Sequence, residues 1–229
     1  MKNIKISYKD FILLLKKKKV IVFGEIHGTI EIPNIIKNII KKSINYIDIV
    51  FIEIPKNQQI YIDNYINSKN NAKLYEIPFF NKEIRDGRSS KEMLLLIKEI
   101  KDLRKINSKL KIICVDTNSF INRDYLIYKE IKKYILKENN CLFITGNVHA
   151  SKKKIIIDNK TITPCIYYLN KFLKNKLISI NFVPNSGSFY NLKIQKIVNK
   201  ERKLGIYKSK LPNYDFDYVL KKITPCTFL

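Results

Sequence analysis

The sequence predicts an α/β fold with a mostly parallel central sheet flanked by helices. Short apolar runs rich in β-branched residues alternate with longer segments whose apolar residues recur at helical spacing. This alternation is typical of βα units, in which a helix follows each strand and the next strand runs parallel to the first. With 229 residues, 45% of them hydrophobic, the chain is long enough to bury the core of such a domain. We therefore expect a single α/β domain over residues 1–229.

The core of this domain is predicted to be built from four βα units over residues 19–150. Apolar runs that stop at a glycine, a proline or a polar residue predict strands at 19–23, 48–54, 111–115 and 141–145. Apolar residues that repeat every three or four positions predict helices at 31–42, 58–67, 89–105 and 125–137. Residues 68–88 show neither pattern, so we expect a loop there.

After residue 150 the pattern changes to short strand-like and irregular segments. They lie at 154–158, 178–183, 188–196 and 216–223. The sequence Pro-Asn-Ser-Gly at 184–187 indicates a turn between the second and the third. We expect these additional strands in the C-terminal third to complete the domain.

The chain is strongly basic, with a formal net charge of +24. Five of its 44 basic residues are arginine, which leaves 39 lysines. Lysine, isoleucine and asparagine share A/T-rich codons and are all abundant here, so genome composition accounts for the charge as well as a partner does. The lysines are also scattered and are not interleaved with an aromatic platform. We therefore expect no specific nucleic-acid partner, and a basic nucleic-acid binder is kept as an alternative.

No targeting or redox signal is visible in the sequence. The N-terminal apolar run, Phe11 to Leu15, is shorter than a signal-peptide core or a membrane span. The four cysteines show no CxxC motif and no metal-ligand spacing, and two of them lie at or near the ends of predicted strands, where we expect buried thiols. These features predict a cytoplasmic protein without a membrane span, and they leave the oligomeric state unspecified.

The only two histidines of the chain lie in the same local motif, a buried strand followed by Gly-x-x-His. The first motif runs from Gly24 to His27 and the second from Gly146 to His149. Ligands and catalytic groups collect at the carboxyl ends of the strands in open α/β sheets. If the two strands are parallel, both histidines lie at that edge and face one pocket.

Other polar residues accompany the histidines at the predicted strand ends. They are Glu25, Glu53, Asp116 and Asn147. The segment Arg-Asp-Gly-Arg before the third helix also places Arg85 and Arg88 close together in a chain that otherwise uses lysine. Arginine suits a bidentate contact with a carboxylate or an anionic substrate group. Each residue also has a structural alternative, as a hydrogen-bonded histidine, a helix cap, a loop brace or, for Asp116, ordinary turn chemistry.

Together these segments resemble a known superfamily. GEIHG, the strand ending in Glu53, RDGRSS and TGNVHA are similar to motifs of the superfamily that groups erythromycin esterases, ChaN-like haem-binding lipoproteins and TIKI/TraB proteins. The resemblance covers residues 20–150, and the TIKI/TraB branch is recognised by two Gly-x-x-His motifs in this order. The chain departs from the erythromycin esterases in lacking their further histidines, and from the other branches in lacking a lipoprotein signal or flanking membrane helix.

The resemblance implies a hydrolase that cleaves an ester or peptide bond of a small-molecule or peptide substrate with an activated water. Glu25, His27, Glu53 and His149 are the candidate catalytic residues. His27, His149 and Glu53 would hold a divalent metal such as manganese, cobalt or zinc. Alternatively, a histidine acts as the base without metal. Arg85, Arg88 and Asn147 are candidates for binding the substrate or its oxyanion.

The absence of a Gly-x-Ser-x-Gly motif favours direct attack by water over a covalent intermediate. Haem binding, with a histidine as axial ligand and no catalysis, is the alternative function that the resemblance implies.

Overall fold

The protein is built on one eight-stranded sheet with helices on both faces. The computed structural model describes residues 4–81, 83–117, 119, 121–137 and 140–229. In chain order, its strands and α-helices are β1 (Lys5–Ile6), α1 (Tyr8–Leu15), β2 (Val20–Glu25), α2 (Glu31–Ser43), β3 (Ile49–Pro55), α3 (Gln59–Asn67), α4 (Lys91–Leu103), β4 (Lys111–Asp116), α5 (Arg123–Ile135), β5 (Cys141–Gly146), β6 (Ile155–Ile157), β7 (Lys160–Ile162), α6 (Cys165–Leu173), β8 (Leu177–Pro184), β9 (Ser188–Asn191), β10 (Lys193–Lys196), β11 (Gly205–Lys208) and β12 (Phe216–Leu220).

The strand order of the large sheet is β1-β11-β12-β8-β2-β5-β3-β4. All neighbours from β12 to β4 are parallel, whereas β11 and β1 add an antiparallel edge. This arrangement confirms the predicted mostly parallel sheet with additional strands from the C-terminal third. The pairs β6–β7 and β9–β10 form two small antiparallel hairpins outside it.

The strands β2 and β5 are neighbours in the middle of the sheet, and the connections that follow them run to opposite sides of it. After β2 the chain passes over β5 to reach β3, and after β5 it passes over β2 to reach β8. Such a switch point leaves a crevice at the carboxyl ends of the two strands. The two Gly-x-x-His motifs end the strands that flank this crevice.

Both faces of the sheet are covered, which explains why its central strands are apolar runs without alternation. In β2, Ile21 and Phe23 point into a core that includes residues of α1, α2 and α4. Val20 and Val22 point to the opposite face, where they pack with residues of α5 and α6. The crevice is therefore supported by two packed layers.

Most predicted strand and helix positions are confirmed, but two helices are missing from the prediction. The segment Phe11 to Leu15 belongs to α1, which is capped by Ser7 and buries three of its apolar residues. The helix α6 lies in a region that we expected to be strand-like or irregular, and that expectation was wrong. It is nine residues long and follows Pro164, so its periodic signal is brief. The predicted loop at 68–88 consists mainly of short 3₁₀ turns, with residue 82 outside the described part.

No helix in the described ranges is both long and apolar enough to cross a membrane.

Candidate active site

The two Gly-x-x-His motifs meet at the carboxyl edge of the sheet. Glu25 ends β2 and Gly146 ends β5, and the backbone N–H of Asn147 donates to the carbonyl of Glu25 over 2.9 Å. A Cβ atom on Gly146 would lie 2.8 Å from Nε2 of His27 and 3.6 Å from Cδ2 of His149. A larger residue at this position would therefore press on the ring of His27, close to where the two rings converge. Both histidines line one cavity of about 970 Å³.

His27 forms a dyad with the buried carboxylate of Glu25. Nδ1 of His27 lies 2.8 Å from Oε1 of Glu25, and its Nε2 lies 3.7 Å from Oε2 of Glu53. Burial lowers the pKa of His27, but the hydrogen bond to Glu25 and the charges of Glu25 and Glu53 outweigh it. The pKa of His27 therefore lies above its ordinary value of 6.5.

Glu53 is held between the two histidines by donors from β5 and from the first residue of α5. Its Oε2 accepts hydrogen bonds from the hydroxyl of Thr145 and from the backbone N–H of Gly146, and its Oε1 accepts one from Nη2 of Arg123. Burial raises the pKa of Glu53, but the charges of both histidines and of the arginines outweigh it. The pKa of Glu53 lies well below its ordinary value, so this carboxylate is ionised at neutral pH.

Two arginines and two aspartates complete the polar network. Arg88 binds Asp86 through Nε and Nη2, and its Nη1 donates to Asp116 over 2.6 Å. Arg123 donates from Nε to the other oxygen of Asp116, also over 2.6 Å. Asp116 thus bridges the two guanidiniums, and Glu53 lies within 3.5 Å of both.

His149 contacts a different set of groups from His27. Its Nδ1 lies 2.8 Å from Oδ1 of Asp124, and its Nε2 accepts a hydrogen bond of 2.9 Å from Nη1 of Arg123. The same oxygen of Asp124 accepts from the backbone N–H of Cys165 at the start of α6. His149 is thereby fixed against the first turns of α5 and α6.

The structure brings together most of the residues predicted from the sequence. Those that line the cavity are Glu25, His27, Glu53, Arg88, Asp116, Asn147 and His149. Arg85 is the exception, because it is exposed and is not part of the cavity wall. Of the two arginines in the RDGR segment, only Arg88 therefore belongs to the site.

Sequence reasoning did not assign Arg123 or Asp124 to the site. Arg123 is one of five arginines in a lysine-rich chain, and the argument applied to Arg85 and Arg88 applies to it equally. Asp124 carries no comparable signal, because an acidic residue in the first turn of a helix is ordinary. Both residues reach the site because the crossover between β4 and β5 begins there.

The donor atoms predicted to hold a metal do not fit one in this arrangement. Two histidines and a carboxylate bind zinc at about 2.0–2.2 Å, which requires their donor atoms to converge on one point. Here the guanidinium of Arg123 already occupies Nε2 of His149 and Oε1 of Glu53, so two of the three donor atoms are directed at a cationic side chain. The described residues contain no group of three or more such ligands suited to a metal ion. The predicted metal set of His27, His149 and Glu53 is therefore not supported.

Comparison with known proteins gives matches at the level of structure. No protein-family model and no curated protein sequence matches the chain. Among solved structures, a succinoglycan biosynthesis protein has a TM-score of 0.70 at 13% identity, covering 96% of this chain and 91% of that chain. A mutant of the erythromycin esterase EreC in its open conformation has a TM-score of 0.69 at 9% identity, covering 96% and 95%. A Bacillus cereus protein has a TM-score of 0.68 at 10% identity, covering 96% and 92%.

These identities establish likeness of fold alone. The matched structures agree with the predicted fold class. The chain shares the α/β fold of erythromycin esterase.

Proposed function

We propose that this protein hydrolyses an ester or peptide bond by direct attack of a water molecule that His27 deprotonates. The observation that carries the proposal is the Glu25–His27 dyad, in which the carboxylate engages Nδ1 and the histidine lines the cavity. Within the described residues, no protein donor lies at hydrogen-bond distance from this nitrogen. A base of this kind needs a free lone pair facing the substrate.

The dyad determines which nitrogen of His27 acts. A carboxylate only accepts hydrogen bonds, so Nδ1 of His27 carries the hydrogen and donates a hydrogen bond to Glu25. The lone pair therefore lies on Nε2. As the water oxygen bonds to the acyl carbon, its proton moves to Nε2. When the bond to the leaving alcohol or amine breaks, the protonated Nε2 returns that proton to the leaving group.

The arginine network supplies positive charge beside the developing oxyanion. Arg88 and Arg123 are held rigidly by carboxylates, so their charge is in place before the reaction begins. The side chain of Asn147 lines the same cavity and provides a neutral donor. His149 acts through Arg123, because it accepts from that guanidinium and is itself held by Asp124.

The fold neighbour named as an erythromycin esterase supports testing esters first. A panel of small esters and peptides should be assayed with the wild type, His27→Ala and Arg85→Ala. The Arg85 variant is a matched control, since it loses a basic side chain of the RDGR segment that lies outside the cavity. We expect hydrolysis by the wild type and the Arg85 variant but not by His27→Ala. Equal hydrolysis by all three would remove His27 from the reaction.

The same proteins, together with His149→Ala, should be titrated with haemin. A Soret band that disappears in His27→Ala and in His149→Ala, without hydrolysis of any substrate, would favour the haem-binding alternative.

A further inference from the structure

The cavity carries a charge opposite to that of the whole molecule. The chain contains 39 lysines, yet among the described residues none lines the cavity. Its wall contains two arginines and four carboxylates, Glu25, Glu53, Asp86 and Asp116. With both histidines neutral, the wall has a formal charge of −2 in a molecule whose net charge is +24.

The positive charge of the two arginines is already balanced by carboxylates of the cavity wall. Nε, Nη1 and Nη2 of Arg88 all donate, to Asp86, to Asp116 and to the carbonyl of Glu53. Nε, Nη1 and Nη2 of Arg123 contact Asp116, His149 and Glu53. A substrate carboxylate would therefore enter a cavity whose carboxylates outnumber its arginines.

The remainder of the wall suits a bulky apolar group. It consists mainly of Ile26, Pro55, Val148, Phe189 and Ile197. Phe189 belongs to the β9–β10 hairpin, which forms one side of the cavity. An aromatic ring next to carboxylates is a favourable environment for an alkylated ammonium group.

We propose that the cavity selects substrates that carry a positive charge near the scissile bond, in particular amino or quaternary ammonium groups, and disfavours substrates with a carboxylate there. This inference rests on the proposed hydrolysis for its substrate, but the binding preference can be measured without turnover. At about 0.15 M salt the Debye length is about 8 Å, so the remote lysines are screened more strongly than the carboxylates of the wall. We expect a cation to be favoured about tenfold over an uncharged group of the same shape.

The binding test uses three small probes of similar shape, choline, 3,3-dimethyl-1-butanol and 3,3-dimethylbutanoate. The ring C–H signals of the two histidines report binding by nuclear magnetic resonance, and single-histidine variants assign them. We expect choline to shift the His27 signals at the lowest concentration and the carboxylate at the highest. Equal affinities, tighter binding of the carboxylate, or no binding of any probe would overturn the proposal.

The turnover test compares the acetate esters of choline and of 3,3-dimethyl-1-butanol. We expect kcat/KM to be about tenfold higher for the choline ester, and equal values would overturn the inference while leaving the hydrolysis established. If neither ester is cleaved but choline still binds best, the charge preference holds and these esters fail as substrates.

Variants at the cavity mouth test the electrostatic origin of the preference. Asn191 lines the cavity, is exposed, and belongs to the β9–β10 hairpin away from the dyad. Asn191→Lys should reduce the ratio of kcat/KM for the two esters, or of the two affinities, several-fold, whereas Asn191→Gln should keep it. An unchanged ratio in Asn191→Lys would contradict an electrostatic cause.

Discussion

His27 and His149 occupy equivalent sequence motifs but have different contacts at Nε2. Nε2 of His27 has no hydrogen-bond partner among the described residues, while Nε2 of His149 accepts a hydrogen bond from Arg123. Each Nδ1 is bound to a carboxylate, Glu25 in the first case and Asp124 in the second. The local motif therefore places a ring at each strand end, and the surrounding residues determine whether it acts as a base or as a support.

The pH dependence of hydrolysis should report the His27–Glu25 contact. The base must be unprotonated, so kcat/KM should rise with pH through the raised pKa of His27. Glu25→Gln removes the negative charge that favours the imidazolium, so the rise should move to lower pH. Because Nε2 becomes a weaker base, kcat at high pH should also fall, roughly tenfold or more. The measurement is a pH profile of kcat/KM for both proteins.

Glu76→Gln is the control for this profile. It removes one carboxylate from an exposed position outside the active-site cavity, and it should leave the profile of the wild type unchanged. If Glu25→Gln also left it unchanged, His27 would not be the group that titrates.

Substitutions of the two histidines should not have additive effects. His27→Ala should lower kcat/KM by about a thousandfold or more, and the double variant with His149→Ala should be little worse, because both residues serve one reaction step, His27 as the base and His149 by holding Arg123. The unfolding free energy of His27→Ala should change by less than about 1 kcal/mol, since the ring faces the cavity instead of the core. A double variant that loses the product of the two single effects would indicate independent roles.

Chelation tests the conclusion that the donor atoms do not suit a metal. Since Arg123 occupies Nε2 of His149 and Oε1 of Glu53, we expect activity to survive extensive dialysis against a chelator. Added manganese, cobalt or zinc should give no increase. Activity that is abolished by the chelator and restored by one of these ions would show that the network rearranges around a metal.

At the scale of elements, the turn after β2 forms backbone hydrogen bonds with two other segments near the site. The N–H of Gly28 donates to the carbonyl of Gly87, and the N–H of Tyr190 donates to the carbonyl of Gly28. These bonds connect the His27 loop to the RDGR segment and to the β9–β10 hairpin. The position of His27 therefore depends on backbone contacts between three segments that are distant in sequence.

Gly28→Ala should disrupt this junction. Gly28 has a φ of +72°, and an added Cβ would lie 1.9 Å from the carbonyl oxygen of Tyr190. We expect a loss of roughly 2–4 kcal/mol in unfolding free energy, together with a lower kcat in the folded protein because His27 shifts. Chemical denaturation and steady-state kinetics provide the two measurements.

Gly205→Ala is the matched control at the far side of the sheet. Gly205 also has a positive φ, +135°, but an added Cβ would meet the flexible side chain of Lys5. It should cost roughly 1–3 kcal/mol of stability and leave kcat/KM unchanged. If Gly28→Ala behaved in the same way, the junction would not position His27.

The sequence predicted the site residues that stand at strand ends better than those that other segments bring to the site. Glu25 and His27 follow a buried run that stops at glycine, and that pattern predicts both the strand and its polar end. Asp124 and Arg123 start a helix and are brought to the site by the crossover of α5, which periodicity cannot reveal. The metal prediction was not supported because the guanidinium of Arg123 lies against the proposed donor atoms, a contact between residues far apart in the chain.

At the scale of the whole molecule, the lysines that supply the basic charge make contacts that are separate from one another. In the two runs of three or more consecutive lysines, 16–19 and 152–154, Lys18 donates to the carbonyl of Asn175, and Lys152 pairs with Asp215. Such lysines take part in intramolecular contacts at different parts of the surface. The net charge of +24 therefore does not by itself indicate a surface that reads nucleic-acid sequence.

The absence of a specific nucleic-acid partner remains a prediction that salt dependence can test. A molecule of this charge should bind DNA weakly at about 50 mM salt through phosphate contacts, and the affinity should fall steeply by about 200 mM as counterions compete. Because sequence is read by contacts to base edges, scattered lysines should give equal affinities for duplexes of different sequence. Fluorescence anisotropy with several unrelated duplexes at both salt concentrations measures this directly. A nanomolar complex with one duplex at physiological salt would contradict the prediction and would give the basic surface a function separate from the acidic cavity.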